Sequence, residues 1–242
     1  MTGKRGPGGP QPFAHYDRRQ YPTLTVRDGY ALWSRVYGEL DARFDLDLLA
    51  ASPLVGARAR GAAVLDLACG NGRIGGWLRG PAEAARVVGV DATLQMLAGA
   101  RSRGVYDGLV RAELSRVPLA AATFDGATCS MALCHVADLA SFFAEARRLL
   151  RPGGWLAVVD YHPAFLMRGI PSHFNHPDTG APTAIDNHVH ALRDFFQVPT
   201  RAGFAVRELE ERYVDDEWAT ALPGYRAHLG WPVTFLGVYE AP

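Results

Sequence analysis

The sequence predicts an α/β domain with a doubly wound, mostly parallel sheet and helices on both faces. Three observations carry this expectation. Short apolar runs alternate with amphipathic stretches from residue 64 onward, a glycine-rich loop follows the first run, and the last two apolar runs stand close together. In order, Val64–Leu67 reads as a strand, Arg73–Leu78 as a helix, Val87–Val90 as a strand and Thr93–Arg103 as a helix. Phe124–Met131 is the next strand. Asp138–Leu150 is an amphipathic helix that puts Leu139, Phe142, Phe143, Ala146 and Leu149 on one face. Pro152-Gly-Gly154 stops it, and Trp155–Asp160 follows as a buried strand. His188–Ala202 has a helical pattern broken late by Pro199. Ala205–Tyr213 and Val233–Glu240 close the sheet, and their short connection implies an antiparallel edge strand. Before all of these, Val26–Ala51 shows helical spacing of Tyr30, Trp33, Val36, Tyr37, Leu40 and Phe44.

The 242 residues suffice for one large domain, and an apolar fraction of 48% supplies its core. A net charge of zero gives no long-range field toward nucleic acid or an anionic membrane. Lys4 is the only lysine, so the arginines reflect compositional bias and not a binding surface. Cys69, Cys129 and Cys134 are odd in number and lack metal-ligand spacing. No apolar run reaches the roughly 18 residues of a membrane span. Residues 1–25, Gly/Pro-rich at the start and without an apolar signal core, are expected as a flexible tail ahead of a domain over 26–242. A cytoplasmic location follows as the expectation, with a monomer or homodimer as the assembly.

The glycine-rich loop Val64-Leu-Asp66-Leu-Ala68-Cys-Gly70-Asn-Gly72 admits two nucleotide classes. Gly70-Asn-Gly72-Arg-Ile-Gly75 matches G-x-G-x-x-G literally, and Asp91 follows about 20 residues on, as a dinucleotide site requires. Asp66 separates them. A carboxylate at the end of the first strand repels a pyrophosphate but suits ammonium and sulfonium charges, directly or through water. Asp91, which closes Val87-Val-Gly-Val-Asp91, can accept both hydroxyls of a ribose in either case.

These motifs, in this order, resemble the class I S-adenosylmethionine-dependent methyltransferases from about Tyr30 to the C-terminus. The resemblance implies a Rossmann-like, seven-stranded sheet with an antiparallel edge strand and an N-terminal helical lid over residues 26–55. It implies S-adenosylmethionine as cofactor. Asp66, Ala68, Gly70 and Gly72 would come from the first motif, and Asp91, Ala92 and Met96 from the ribose-binding strand and the helix after it. Ala112, Glu113 and Leu114 would stand near the adenine, and Met131 at the end of the fourth strand. The family places lid tyrosines near the methionine end, which nominates Tyr37 first and Tyr30 second.

Ligands of a doubly wound sheet bind beyond the carboxyl ends of its strands. His135 and His162 each follow a strand at that edge, and with Tyr37 they are the candidate catalytic residues. A neutral imidazole there can take a proton from an acceptor, although methyl transfer can also proceed by positioning alone. Six of the eight histidines fall between His135 and His190. The His173/His176 and His188/His190 pairs have weak metal spacing, and no metal is expected. The segment 161–190, aperiodic and long, is expected to cover the substrate. The Asn/Asp-Pro-Pro-aromatic sequence of methyltransferases acting on exocyclic amines is absent at Met131-Ala-Leu-Cys-His135. The acceptor is therefore expected to be a small molecule, with no nucleic-acid or membrane partner. Three alternatives stay open at this point: a cyclase or decarboxylase on the same fold, a nicotinamide-dependent oxidoreductase, and a non-catalytic partner subunit.

Overall fold

A computed structural model describes residues 10–37 and 45–242. Among them, strands and helices are numbered in chain order. The N-terminal arm holds β1 (Gln11–Pro12) and β2 (Thr23–Leu24), and leads into α1 (Val26–Trp33), α2 (Leu46–Ala51) and α3 (Pro53–Ala59). The nucleotide-binding half comprises β3 (Ala63–Leu67), α4 (Arg73–Arg79), β4 (Arg86–Asp91), α5 (Leu94–Arg103) and β5 (Gly108–Arg111). Then come β6 (Phe124–Ser130), α6 (Leu139–Leu149) and β7 (Leu150–Tyr161). The next stretch carries α7 (Pro163–Leu166), β8 (His173–Asn175), β9 (Pro182–Ile185) and β10 (His188–Val189). Finally α8 (Asp194–Arg201), β11 (Ala205–Tyr213), α9 (Asp216–Ala221) and β12 (Pro232–Glu240) complete the chain.

Seven strands form one sheet in the order β11-β12-β7-β6-β3-β4-β5. All neighbours are parallel except β12, which runs antiparallel between β7 and the edge strand β11. The order reverses between β3 and β6, and a doubly wound sheet opens a crevice at such a point. Successive residues of the central strands face opposite cores. Val64, Val87, Trp155 and Ala157 pack with Leu48, Ile74 and Leu78 on one side. Leu65, Val88, Leu156 and Val158 pack with Phe142, Phe143, Phe195 and Phe235 on the other. Burial on both faces explains why these strands read as continuous apolar runs. Trp155 fits because Gly126 has no side chain: a Cβ there would come within 2.1 Å of the indole.

Several elements differ from the sequence expectation. The helix expected over Val26–Ala51 is broken: α1 ends at Trp33, α2 begins at Leu46, and Leu40 and Phe44 lie outside the described residues. The strand β5 has only four residues, Gly-Leu-Val-Arg, too few for a periodic signal. The helix expected over His188–Ala202 shrinks to Asp194–Arg201, with His188–Val189 in an extended pair instead.

The arm also departs from the flexible tail expected over 1–25. Gln11–Pro12 pairs with His188–Val189, and Thr23–Leu24 pairs with Ala184–Ile185. Residues 10–25 and 163–190 thus form one cap, each supplying the strand partner the other lacks. α1 lies on this cap through Gly29, where a Cβ would approach Ile185 Cγ1 to 2.8 Å. No helix among the described residues is long and apolar enough to cross a membrane.

Candidate functional site

A cavity of about 500 Å³ opens at the carboxyl ends of β3, β4 and β6, at the point where the strand order reverses. Its floor is made by backbone that side chains seldom permit. Ala68 (φ 55°), Gly70 (φ 53°) and Gly72 (φ 90°) all adopt left-handed conformations, and so does Met131 (φ 55°) across the crevice. A non-glycine residue held in this region is strained and needs support from its surroundings. For the loop that support is Asp91. Its Oδ2 accepts the Gly70 amide at 2.9 Å and its Oδ1 accepts the Thr93 amide at 2.7 Å. Burial raises the Asp91 carboxyl, and these two amides oppose the rise. Each oxygen keeps lone-pair capacity toward the cavity.

Most of the residues nominated from sequence meet here. Tyr30, Tyr37, Ala68, Gly70, Asp91, Ala92, Met96, Ala112, Glu113, Leu114, Met131 and His135 all line the cavity. Glu113 sits at its rim, 62% exposed, and pairs with Arg27 of α1 at 2.7 Å. Three nominated residues are not brought to the wall. Gly72 lies behind it as the left-handed residue before α4. Asp66 is 1% exposed; it accepts the Tyr106 hydroxyl at 2.6 Å and the Thr128 hydroxyl at 3.1 Å. Burial pushes its carboxyl up to about 7, against the pull of those two donors. Asp66 therefore acts from beneath the loop and not as a direct contact.

His162 is the third. Its Nδ1 accepts the Ala164 amide at 3.1 Å and caps α7, while Nε2 lies 2.7 Å from Glu211 on β11. That places it on the far side of β7 from the crevice, as a helix cap next to Phe235. The segment 163–190 contributes no cavity-lining residue among those described. Instead it reaches His135 from behind.

His135 ends the turn after β6. Its Nδ1 lies 2.6 Å from the Asp186 carbonyl, which can only accept, so Nδ1 carries the proton. Nε2 is then an acceptor, and the Tyr30 hydroxyl donates to it at 3.0 Å. Burial drives His135 down to about 4, so the ring is neutral near pH 7. Burial likewise pushes the Tyr30 hydroxyl well above its ordinary value. Asp160 holds the turn: its buried Oδ2 accepts the amides of Ala132, Leu133 and Cys134.

Two further residues were missed from sequence. Arg73 lines the cavity and forms a two-pronged ion pair with Asp45, at 2.5 and 2.6 Å. Asp45 is fully buried, caps α2, and also accepts from Ser130. Arg73 stands directly after Gly72, which was a signal for a loop-anchoring cation; nothing local marks Asp45. With Arg73 matched by Asp45 and Glu113 by Arg27, Asp91 and Asp138 leave the lining net acidic. That environment favours a cationic ligand over a pyrophosphate. Among the described residues no cluster of three His, Cys, Asp or Glu could hold a metal.

A family model described as "Methyltransferase domain" matches residues 65–158. Over that stretch the chain is similar to S-adenosylmethionine-dependent methyltransferase domains, in line with its sheet order. It is 39% identical over 98 residues to a malonyl-[acyl-carrier protein] O-methyltransferase of Enterobacter lignolyticus, covering 40% of this chain and 38% of that one. It is 38% identical over 109 residues to a 2-phytyl-1,4-naphtoquinone methyltransferase of Thermosynechococcus vestitus, covering 43% and 48%. Such alignments span less than half the length of these curated relatives. A solved S-adenosylmethionine-dependent methyltransferase from Mesorhizobium loti is 26% identical with a TM-score of 0.63, over 79% of this chain and 99% of that one.

The residues present fit S-adenosylmethionine. Asp91 would take the ribose hydroxyls, and Met96, Ala112 and Leu114 offer the apolar wall an adenine needs. Ala68 and Gly70, both left-handed, bring small residues to the cavity wall, and the acidic excess complements a sulfonium.

Proposed function

We propose that this chain transfers a methyl group from S-adenosylmethionine to a small-molecule acceptor seated against Tyr30, Tyr37, Met131 and His135. The observation that carries the proposal is the Tyr30 hydroxyl at 3.0 Å from His135 Nε2, on the cavity wall opposite Asp91. Bound in this cavity, the cofactor supplies an activated methyl group on a positively charged sulfur. The protein supplies placement and a path for the acceptor's proton.

An acceptor hydroxyl can donate to the Tyr30 oxygen while Tyr30 donates to His135 Nε2. As the acceptor oxygen gains its methyl group, its proton passes to Tyr30 and the Tyr30 proton to His135. Burial keeps His135 neutral beforehand, as a proton acceptor must be. The Asp186 carbonyl fixes the tautomer and orients the ring. Tyr37, which packs edge-on against Trp33 at 4.7 Å, closes the side near Arg73.

The relatives named for a naphtoquinone and for a malonyl carrier support an acceptor from small-molecule metabolism. The test is incubation with methyl-labelled S-adenosylmethionine and a panel of hydroxynaphthoquinones, simple phenols and malonyl thioesters. The expected product is one acceptor class heavier by a single methyl group, with S-adenosylhomocysteine released in equal amount. Cofactor binding with a product of unchanged mass would refute methyl transfer.

A further inference from the structure

Tyr106 belongs to none of the motifs, yet glycines of the cofactor loop, α4 and β4 are arranged around it. It sits in the turn between α5 and β5, and its ring fills one gap left by three separate glycines. A Cβ on Gly75 would lie 2.2 Å from its Cζ, one on Gly89 2.9 Å from Cε1, and one on Gly72 3.0 Å from Cε2. The third glycine of the G-x-G-x-x-G pattern is therefore explained by this ring and not by a pyrophosphate. The ring also joins Cys69, Leu97 and Leu109 in a small apolar cluster under the loop. Its hydroxyl, also against Gly75, donates to Asp66 Oδ2 at 2.6 Å.

We propose that Tyr106 is a positioning residue for the cofactor: its ring braces the loop Ala68–Gly72 from below, and its hydroxyl holds the Asp66 carboxylate where the charge acts on the cofactor's sulfonium. The inference rests on the cofactor reading above and adds a residue to it. Asp66 stands two residues before Ala68, which lines the cavity. Its surroundings leave few groups that can govern its charge. Among the described residues, Thr128 on β6 is the only other side-chain donor within hydrogen-bond distance. Arg73 of α4 favours the carboxylate, while Asp91 of β4 disfavours it. Burial is the dominant influence and favours the neutral acid, so the Tyr106 hydrogen bond holds a group poised between two charge states.

The experiment is calorimetric titration of wild type and Tyr106→Phe with S-adenosylmethionine and with S-adenosylhomocysteine, from pH 6 to 8. The two ligands differ only in the methyl group on sulfur and the positive charge it creates, so the pH dependence of their affinity ratio reports the field at that atom. In wild type the ratio should rise as Asp66 ionises through about pH 7. Tyr106→Phe keeps the ring and loses the donor. S-adenosylmethionine should then bind about tenfold more weakly near neutral pH. S-adenosylhomocysteine should change less than about threefold, and the rise in the ratio should move to higher pH. Equal losses for both ligands at every pH would show a purely structural brace and overturn the proposal, as would no loss at all.

Should Tyr106→Phe melt before it can be titrated, Thr128→Val removes the other donor and leaves the ring in place. It should reproduce the upward shift, and an unshifted ratio would overturn the proposal. A wild-type protein that binds neither ligand would sink the cofactor reading itself, and this inference with it.

Discussion

The wall built by Ala68–Thr93 and the wall built by Tyr30, Met131 and His135 enclose one cavity but are held by different kinds of contact. On the first, Asp91 fastens Gly70, 21 residues away, and the strain of Ala68 is absorbed within a single β-α-β unit. On the second, Tyr30 meets His135 across 105 residues, and His135 is held in turn by Asp186 across 51. The first wall is local and made of backbone. The second is assembled from three distant segments and made of side chains. Such a division lets the cofactor half stay constant while the acceptor half varies, because loops on a rigid scaffold can change without disturbing it.

The sharpest way to break this comparison is to cut the second wall alone. His135→Ala should lower methyl transfer on the order of a thousandfold, and Tyr30→Phe somewhat less, in the range of general acid–base contributions. The check is initial rate with the acceptor found in the panel, and S-adenosylhomocysteine affinity should stay within a few-fold. Cutting the first wall should do the reverse. Asp91→Ala removes the group that fastens the Gly70 and Thr93 amides and that would hold the ribose. Cofactor affinity should fall by about a hundredfold, two charge-assisted hydrogen bonds' worth, measured by calorimetry.

A third prediction uses pH. His135 is held at about 4 in the fold against an ordinary value of 6.5, so the unfolded chain binds the proton more readily. Its contribution to stability is present above about 6.5 and is lost as pH falls through 4. The loss is on the order of 3 kcal/mol. Denaturant unfolding of wild type and His135→Gln at pH 7 and pH 4.5 should show the variant less sensitive to acid. The smallest effect is expected at the rim. Arg27 and Glu113 are both more than half exposed, and Glu113→Gln should change stability by less than about 1 kcal/mol.

The same division governed what could be read from the sequence. Val64–Gly72 and Val87–Asp91 announce themselves because strand, glycine turn and acid lie within one short window. Twelve nominated residues meet at the cavity, most of them from those motifs or from positions at fixed intervals after them. Asp66 was legible as a special acid, but not its burial, because its partners Tyr106 and Thr128 lie 40 and 62 residues away. His162 stands at the right strand end yet points into a helix cap, a choice made by Pro163 starting α7 immediately after it. The cap was least legible. Its strands have two to four residues and pair with the N-terminal arm, so neither segment shows periodicity by itself. Asp45 and Asp186 act through contacts that only the fold creates.

The account's central claim is that one cavity holds a cofactor wall and a separable acceptor wall. The most direct measurement is one calorimetric titration series with S-adenosylhomocysteine on wild type, Asp91→Ala and His135→Ala. The account predicts tight binding by wild type, about a hundredfold weaker binding for Asp91→Ala and near-wild-type affinity for His135→Ala. Equal losses in the two variants, or undiminished binding in Asp91→Ala, would contradict it.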